Sequence, residues 1–147
     1  MYKRILLAYN GSEAGQKALL DCQDIAQMGQ SELFLIAVMP PASAYIGFEG
    51  GVYESSPAER EQVAQKYNEI LADGLRRLES SGRAARGELV IGETVDAITQ
   101  YARKMDADLI VVGHRHLDGW AARWWRGSMS RSLIEYAHCS VLVVITQ

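Results

Sequence analysis

The chain has 147 residues, of which 48% are hydrophobic and 22% charged, and its formal net charge is -3. This size and mixture are typical of one folded domain with a real core, so residues 1–147 are assigned to a single domain. The slight negative charge argues against a protein that coats nucleic acid. The longest apolar runs fall far short of the roughly 20 residues of a membrane helix. Met1 leads directly into a strand pattern without a signal region, which favours a cytoplasmic protein. Its two cysteines, Cys22 and Cys139, are therefore expected to be buried free thiols.

Strand and helix patterns alternate along the whole chain. Strands are predicted at residues 3–9, 32–39, 87–91, 109–112 and 140–146. Helices are predicted at residues 13–29, 58–80, 94–105 and 129–137, the first with Ser12 as its N-cap. Residues 40–57 have no periodicity and are long for a connection. They form either a lid or binding loop, or a surface loop anchored by a few aromatic side chains.

This alternation predicts an α/β domain built on a parallel sheet of five strands. In such sheets ligands bind beyond the carboxyl ends of the strands, where the winding direction reverses. The first and fourth predicted strands end in AYNGS and VVGHRH, each with a glycine. If these strands are neighbours, their loops face one another across a shared crevice.

The stretch from residue 108 to residue 130 has the pattern of an anion-binding unit. An apolar strand ends at Gly113, where the chain is expected to turn, and a basic loop follows. The loop carries the side chains of His114, Arg115, His116, Arg123 and Arg126. Gly127 and Ser128 then precede a helix, whose free N–H groups and positive end favour a phosphate. Ser128 either caps this helix or contacts the ligand.

Three segments give the chain a resemblance to the universal stress protein family, single-domain UspA-like type. They are ILLAYNGSEAGQKAL, VIGETVDAITQYARKMDADLIVVGHR and RGSMSRSLIEYAHCSVLVV. The resemblance implies a doubly wound, Rossmann-like fold of the adenine nucleotide hydrolase type, with strand order 3-2-1-4-5 and helices on both faces. It also implies a cytoplasmic stress-response protein that forms a homodimer through its last strand. An apolar terminal strand supports the same interface, which comprises Val141, Leu142, Val143, Val144 and Ile145.

The nucleotide-binding branch of this family has a glycine motif that the chain matches with two departures. Gly113 corresponds to its first position and Gly127 with Ser128 to its last, but His116 replaces the middle glycine and the loop is one residue longer. Asn10 stands where many relatives have an acidic residue, so no metal is expected. The resemblance implies ATP or AMP as ligand, bound by Ala8, Tyr9, Asn10, Val38, Gly113, Arg115, His116, Gly127, Ser128, Met129 and Ser130.

The expected function is nucleotide binding without rapid turnover, because no arrangement of catalytic side chains is visible. Two alternatives stay open: a dimeric interaction module that binds no nucleotide, favoured by His116, and a slow ATP hydrolase. An unidentified protein partner is expected, but neither nucleic acid nor a membrane. Trp120, Trp124 and Trp125 form either an exposed partner surface or local packing of the long loop. His114 and His116 are interpreted as pocket-rim or solvent-facing residues rather than as metal ligands.

Overall fold

Five strands and four helices alternate in the computed structural model, which describes residues 1–41, 56–115 and 129–146. In chain order these elements are β1 (Arg4–Ala8), α1 (Glu13–Gly29), β2 (Glu32–Met39), α2 (Pro57–Ser80), β3 (Arg86–Ile91), α3 (Thr94–Lys104), β4 (Leu109–Arg115), α4 (Met129–Tyr136) and β5 (Ser140–Thr146). Most of the predicted loop at 40–57 lies outside the described residues, as do the three tryptophans. All five predicted strands and all four predicted helices are present, with small shifts at their ends.

The five strands form one parallel sheet in the order β3-β2-β1-β4-β5. The predicted order and the predicted neighbourhood of the first and fourth strands are therefore confirmed. β1 lies in the middle, where Ala8 pairs with Ile36 of β2 on one side and with Val112 of β4 on the other. A sheet covered on both faces needs strands that are apolar throughout, which explains the unbroken hydrophobic runs of β1, β2 and β4.

Helices cover both faces of the sheet, as predicted. Successive side chains of a strand point to opposite faces, so Leu7 packs under α1 and α2 whereas Leu6 packs under α3 and α4. The two layers are called the α1–α2 face and the α3–α4 face. Leu19 and Leu78 fill the first layer, and Ile98 and Leu133 fill the second.

Polar side chains fix the beginnings of the helices. The predicted N-cap Ser12 is confirmed, since its hydroxyl accepts a hydrogen bond from the amide of Gly15 at 3.0 Å. A capping box starts α2, because Ser56 and Glu59 each accept a hydrogen bond from the other's main chain. These caps satisfy N–H groups in the first turns of α1 and α2 that would otherwise lack a partner.

The fourth strand is longer than predicted. The sequence predicts an end at Gly113, but the strand continues to Arg115 because β5 pairs with it up to the Arg115–Thr146 register. A Cβ on Gly113 would lie 2.4 Å from the carbonyl carbon of Ala14 and 2.5 Å from the amide nitrogen of Gly15. Gly113 therefore allows α1 to pack closely on the sheet and does not form the expected turn.

The two cysteines differ in burial. Cys22 is fully buried as predicted, and burial raises the pKa of its thiol to about 12. Cys139 is only partly buried, against the prediction, since it lies where α4 passes into β5, and burial together with the Asp108 carboxylate raises its pKa. Asp108 itself accepts hydrogen bonds from the amides of Lys3 and Arg4 at 2.8 and 3.0 Å.

In the described part of the chain, no helix is both long enough and apolar enough to cross a bilayer.

Candidate functional site

The carboxyl edge of the sheet contains a gap one strand wide. β1 ends at Ala8, which pairs with Ile36 and Val112, whereas β2 continues to Met39 and β4 to Arg115. Both neighbours of β1 therefore extend beyond it. This gap is called the notch. Ala8 and Asn10 lie at its base, Val38 lies on one side and residues 113–115 lie on the other. The notch lies at the point where the winding direction of the sheet reverses, which is the usual ligand site of this class of fold.

The main chain of Val38 is open on the side of the notch. Alternate peptide groups of a parallel strand point to opposite neighbours. The amide of Tyr9 donates to the carbonyl of Ile36 at 2.9 Å, and the amide of Gly92 donates to the carbonyl of Met39 at 3.0 Å. Ile36 and Val38 therefore direct their peptide groups towards β1, and Met39 towards β3. Since β1 has already left the sheet, Val38 has no main-chain partner from that side among the described residues.

The base of the notch is formed by small and locally bonded groups. The Ala8 methyl group is half-buried on the α3–α4 face. The exposed Asn10 side chain accepts hydrogen bonds from both the amide and the hydroxyl of Ser12. Asn10 is thereby engaged in holding the turn into α1. Its oxygen is an acceptor without charge, which is a poor group for holding a divalent cation.

The β4 side of the notch carries basic side chains. His114 is half-buried and lies on the α3–α4 face, since it alternates with Gly113, whereas Arg115 is exposed. Among the residues that the structure describes, no group of three or more His, Cys, Asp or Glu side chains is arranged to hold a metal ion. His116, the second member of the predicted histidine pair, lies outside the described residues.

The first turn of α4 brings a buried hydroxyl to the same edge. α4 connects the carboxyl end of β4 to the beginning of β5, so its amino end lies at the carboxyl edge of the sheet. Met129 is half-buried there, and Ser130 is 8% exposed. The Ser130 hydroxyl has no hydrogen-bond partner among the described residues. Buried hydroxyl groups in proteins normally have a partner, so this one is suited to a ligand atom.

The structure brings together most of the predicted site residues that it describes. Those at the carboxyl edge are Ala8, Asn10, Val38, Gly113, Arg115, Met129 and Ser130. Tyr9 differs, because its side chain packs on the α1–α2 face, away from the layer that contains Ala8. His116, Gly127 and Ser128 lie outside the described residues, so their part in the site stays a prediction.

One contact beneath the notch was missed by the sequence reasoning. The Tyr9 hydroxyl donates to the carboxylate of Asp73 at 2.7 Å, and Arg77 donates to the same carboxylate at 2.9 Å. Burial and then the bond to Asp73 raise the pKa of Tyr9 to about 12. The bonds from Tyr9 and Arg77 lower the pKa of Asp73. The i,i+4 spacing of Asp73 and Arg77 is visible in the sequence, but it does not show that Tyr9 reaches them.

Comparisons with known proteins agree with this architecture. A model of the universal stress protein family matches residues 1–144. A universal stress protein of Thermus aquaticus is 32% identical over 146 residues, which cover 98% of this chain and 99% of the relative.

Two solved structures share the fold. A universal stress protein of Archaeoglobus fulgidus in complex with dAMP has a TM-score of 0.71 and 18% identity, and the match covers 97% of this chain and 98% of the other. A universal stress protein family protein of Arabidopsis thaliana with AMP bound has a TM-score of 0.68 and 17% identity, with 99% and 92% covered.

Proposed function

We propose that this chain, which belongs to the universal stress protein family, binds an adenine nucleotide in the notch and holds it without rapid turnover. The observation that carries the proposal is the main chain of Val38, which has no hydrogen-bond partner on the notch side among the described residues, because β1 ends before β2. The Archaeoglobus fulgidus and Arabidopsis thaliana proteins with the same fold hold dAMP and AMP, which supports an adenine nucleotide as the ligand here.

The adenine base fits the Val38 side of the notch. The Watson–Crick edge of adenine presents an amino donor next to a ring-nitrogen acceptor. The carbonyl and N–H groups of Val38 face the notch and offer the complementary pair. Because these are main-chain groups, recognition there depends on the path of β2 rather than on a particular side chain. The small Ala8 methyl group leaves room for the ribose at the base of the notch.

The phosphate groups fit the β4 and α4 side. The amino end of α4 supplies the positive end of the helix dipole, and the buried Ser130 hydroxyl supplies a hydrogen-bond donor. The exposed guanidinium of Arg115 is suited to a phosphate oxygen. Gly127 and Ser128 are proposed to complete this end, with His116 at the position where relatives have a glycine. The phosphates are proposed to be held without a metal ion, since Asn10 contributes no charge.

Two measurements on the purified protein test the proposal. The protein is denatured and the supernatant searched for AMP and ATP, and nucleotide-free protein is titrated with each and then followed for ADP formation. Released or titratable nucleotide without ADP supports the proposal. ADP formation that a Ser130→Ala variant lacks would instead indicate a slow hydrolase. The absence of both binding and a thermal shift would leave a dimeric interaction module.

A homodimer is proposed to form through β5. This strand is at the edge of the sheet, and its apolar residues Val141, Leu142 and Val143 are only half-buried, while Ile145 is 55% exposed. An unpaired apolar edge favours pairing with the same edge of a second copy. In this proposal the dimer is a cytoplasmic stress-response module. Nucleotide occupancy changes the surface that a protein partner meets.

The dimer proposal has a matched control on the opposite edge of the sheet. Ile145→Lys places a charge on the β5 edge, whereas Ile91→Lys places the same charge on β3, where Ile91 is 64% exposed. Analytical ultracentrifugation is expected to give a monomer only for Ile145→Lys. A dimer that tolerates Ile145→Lys but not Ile91→Lys would assign the interface to β3.

A further inference from the structure

The ring of Tyr9 is wedged between the two helices of the α1–α2 face. The side chain is 2% exposed. A Cβ on Gly15 of α1 would lie 3.2 Å from the Tyr9 Cδ2 atom, and a Cβ on Gly74 of α2 would lie 2.7 Å from Cδ1. A larger residue at position 74 would therefore displace the ring. Because the two glycines have no side chains, the ring fits between α1 and α2, with one helix packed on each side of it.

The hydroxyl of the same side chain is bonded to a carboxylate that is itself held in place. Asp73 accepts from Tyr9 at 2.7 Å and from the Arg77 Nε atom at 2.9 Å, and Arg76 lies 3.8 Å away. Arg77 is one helical turn beyond Asp73 on α2, so it keeps the carboxylate directed at the strand. The bond therefore ties the end of β1 to α2 at a defined point.

Tyr9 directly follows β1, and it is the last residue before the notch whose main chain is bonded to the sheet among the described residues. Its amide donates to Ile36 at 2.9 Å, and the next residue, Asn10, already turns into α1 through its bonds to Ser12. The ring and the hydroxyl are thus anchored at the point where the chain leaves the sheet. Because the chain departs there, the peptide groups of Val38 have no partner from β1.

We propose that Tyr9 is a positioning residue of the nucleotide site, whose hydroxyl bond to Asp73 fixes the path of Ala8–Asn10 and so the shape of the notch. This inference rests on the proposed function and deepens it. Tyr9 does not contact the ligand through its side chain, which lies on the other face of the sheet. Its effect is on the base and ribose end of the site, so AMP and ATP should respond equally.

A matched pair of variants tests this inference. Tyr9→Phe removes the hydroxyl and keeps the ring. Tyr101→Phe removes a hydroxyl bonded to Glu88 at 2.9 Å, on the other face and against the edge strand β3. A hydrogen bond of this kind contributes similarly at both places, so similar changes in thermal stability are expected. Only Tyr9→Phe is expected to weaken binding, by about fivefold for both AMP and ATP in calorimetric titrations.

A double-variant comparison separates the bond from its two members. Tyr9→Phe and Asp73→Ala each break the same contact. The nucleotide affinity of the double variant is therefore expected to be no lower than that of the single variant with the lower affinity. Fully additive losses would show that the two residues act independently and would overturn the inference. Unchanged affinity in Tyr9→Phe, or an equal loss in Tyr101→Phe, would overturn it as well.

A separate measurement distinguishes failure of this inference from failure of the proposed function. If the wild-type protein binds neither AMP nor ATP, the proposed function fails. Amide hydrogen exchange of the free protein then tests the positioning role. Faster exchange in Tyr9→Phe confined to residues 10–15 supports the role of Tyr9, since these residues follow it into α1. An unchanged exchange pattern there would overturn it.

Discussion

The middle strand of the sheet, β1, and its neighbour β4 end in opposite ways. β1 leaves the sheet after Ala8, and Gly11 makes its turn with a φ of 77°. β4 continues past the same level to Arg115, because β5 pairs with it and because Gly113 lets α1 approach. The notch exists because one strand stops while its neighbours continue. The comparison also shows that a glycine near a strand end has two distinct uses, one for conformation and one for space.

The largest expected effect breaks the continuing strand. Gly113→Ala puts a methyl group 2.4 Å from the Ala14 main chain, which cannot rotate away as a side chain could. We expect a loss of about 3 kcal/mol in the free energy of unfolding, the upper end for overpacking, in urea titrations. Gly92→Ala is the matched control, since its added Cβ would be 3.4 Å from the Ala97 Cβ, close to an ordinary contact. Equal losses in both variants would refute the packing role of Gly113.

A second variant examines the far side of the notch. Ser130→Ala removes a buried hydroxyl that has no partner among the described residues. The free protein is expected to keep its stability or gain slightly, whereas the affinity for ATP should fall about tenfold, since a hydrogen bond to a charged phosphate is lost. Ser132 is a half-buried serine of the same helix, so Ser132→Ala is the matched control. Isothermal titration of both variants with ATP tests whether the loss of affinity is specific to Ser130. Equal affinities in the two variants would remove Ser130 from the site.

A third pair sharpens the role of the turn after β1. Gly11 and Gly82 have φ values of 77° and 78°, a conformation that side chains disfavour. Replacing either by alanine should lower the free energy of unfolding by about 1 kcal/mol, measured in urea. Only Gly11→Ala should also weaken AMP binding, because Gly82 lies at the end of α2. Normal AMP binding by Gly11→Ala would show that the notch tolerates a shifted turn.

The smallest expected effect concerns pH. The pKa of Tyr9 is raised from 10.0 to about 12, so ionisation is harder in the folded protein than in the unfolded chain. The stability that this contributes is full below pH 10.0 and is lost as pH rises towards 12. The difference in stability between wild type and Tyr9→Phe should therefore shrink as the pH rises from 10.0 to about 12 in urea titrations. A difference that stays constant over this range would contradict the assigned shift.

The sequence predicted the architecture well because the fold is encoded in local patterns. Five apolar runs alternate with amphipathic helices, which indicates an α/β fold. Ser12 indicates the start of α1. The family resemblance supplied the strand order, which the pairing of β1 with β4 confirms. Patterns of this kind depend only on neighbouring residues, so they are readable without coordinates.

The site was less accessible to the same reasoning. A strand buried on both faces has no alternation of polar and apolar residues, so the sequence does not tell which face Tyr9 takes. Gly113 is visible as a residue without a Cβ, but what lies opposite it becomes known only when α1 is in place. The predictions on His116, Gly127 and Ser128 stay predictions.

The unequal burial of the two thiols has a practical consequence for experiments on this protein. Cys22 lies on the buried side of α1 and its pKa is raised to about 12, so alkylating reagents at neutral pH will find almost no reactive thiolate there. Cys139 is partly accessible and stands just before β5, at the end of the sheet opposite the notch. A maleimide dye will therefore attach at Cys139 first, and it will report on the protein without obstructing ligand entry.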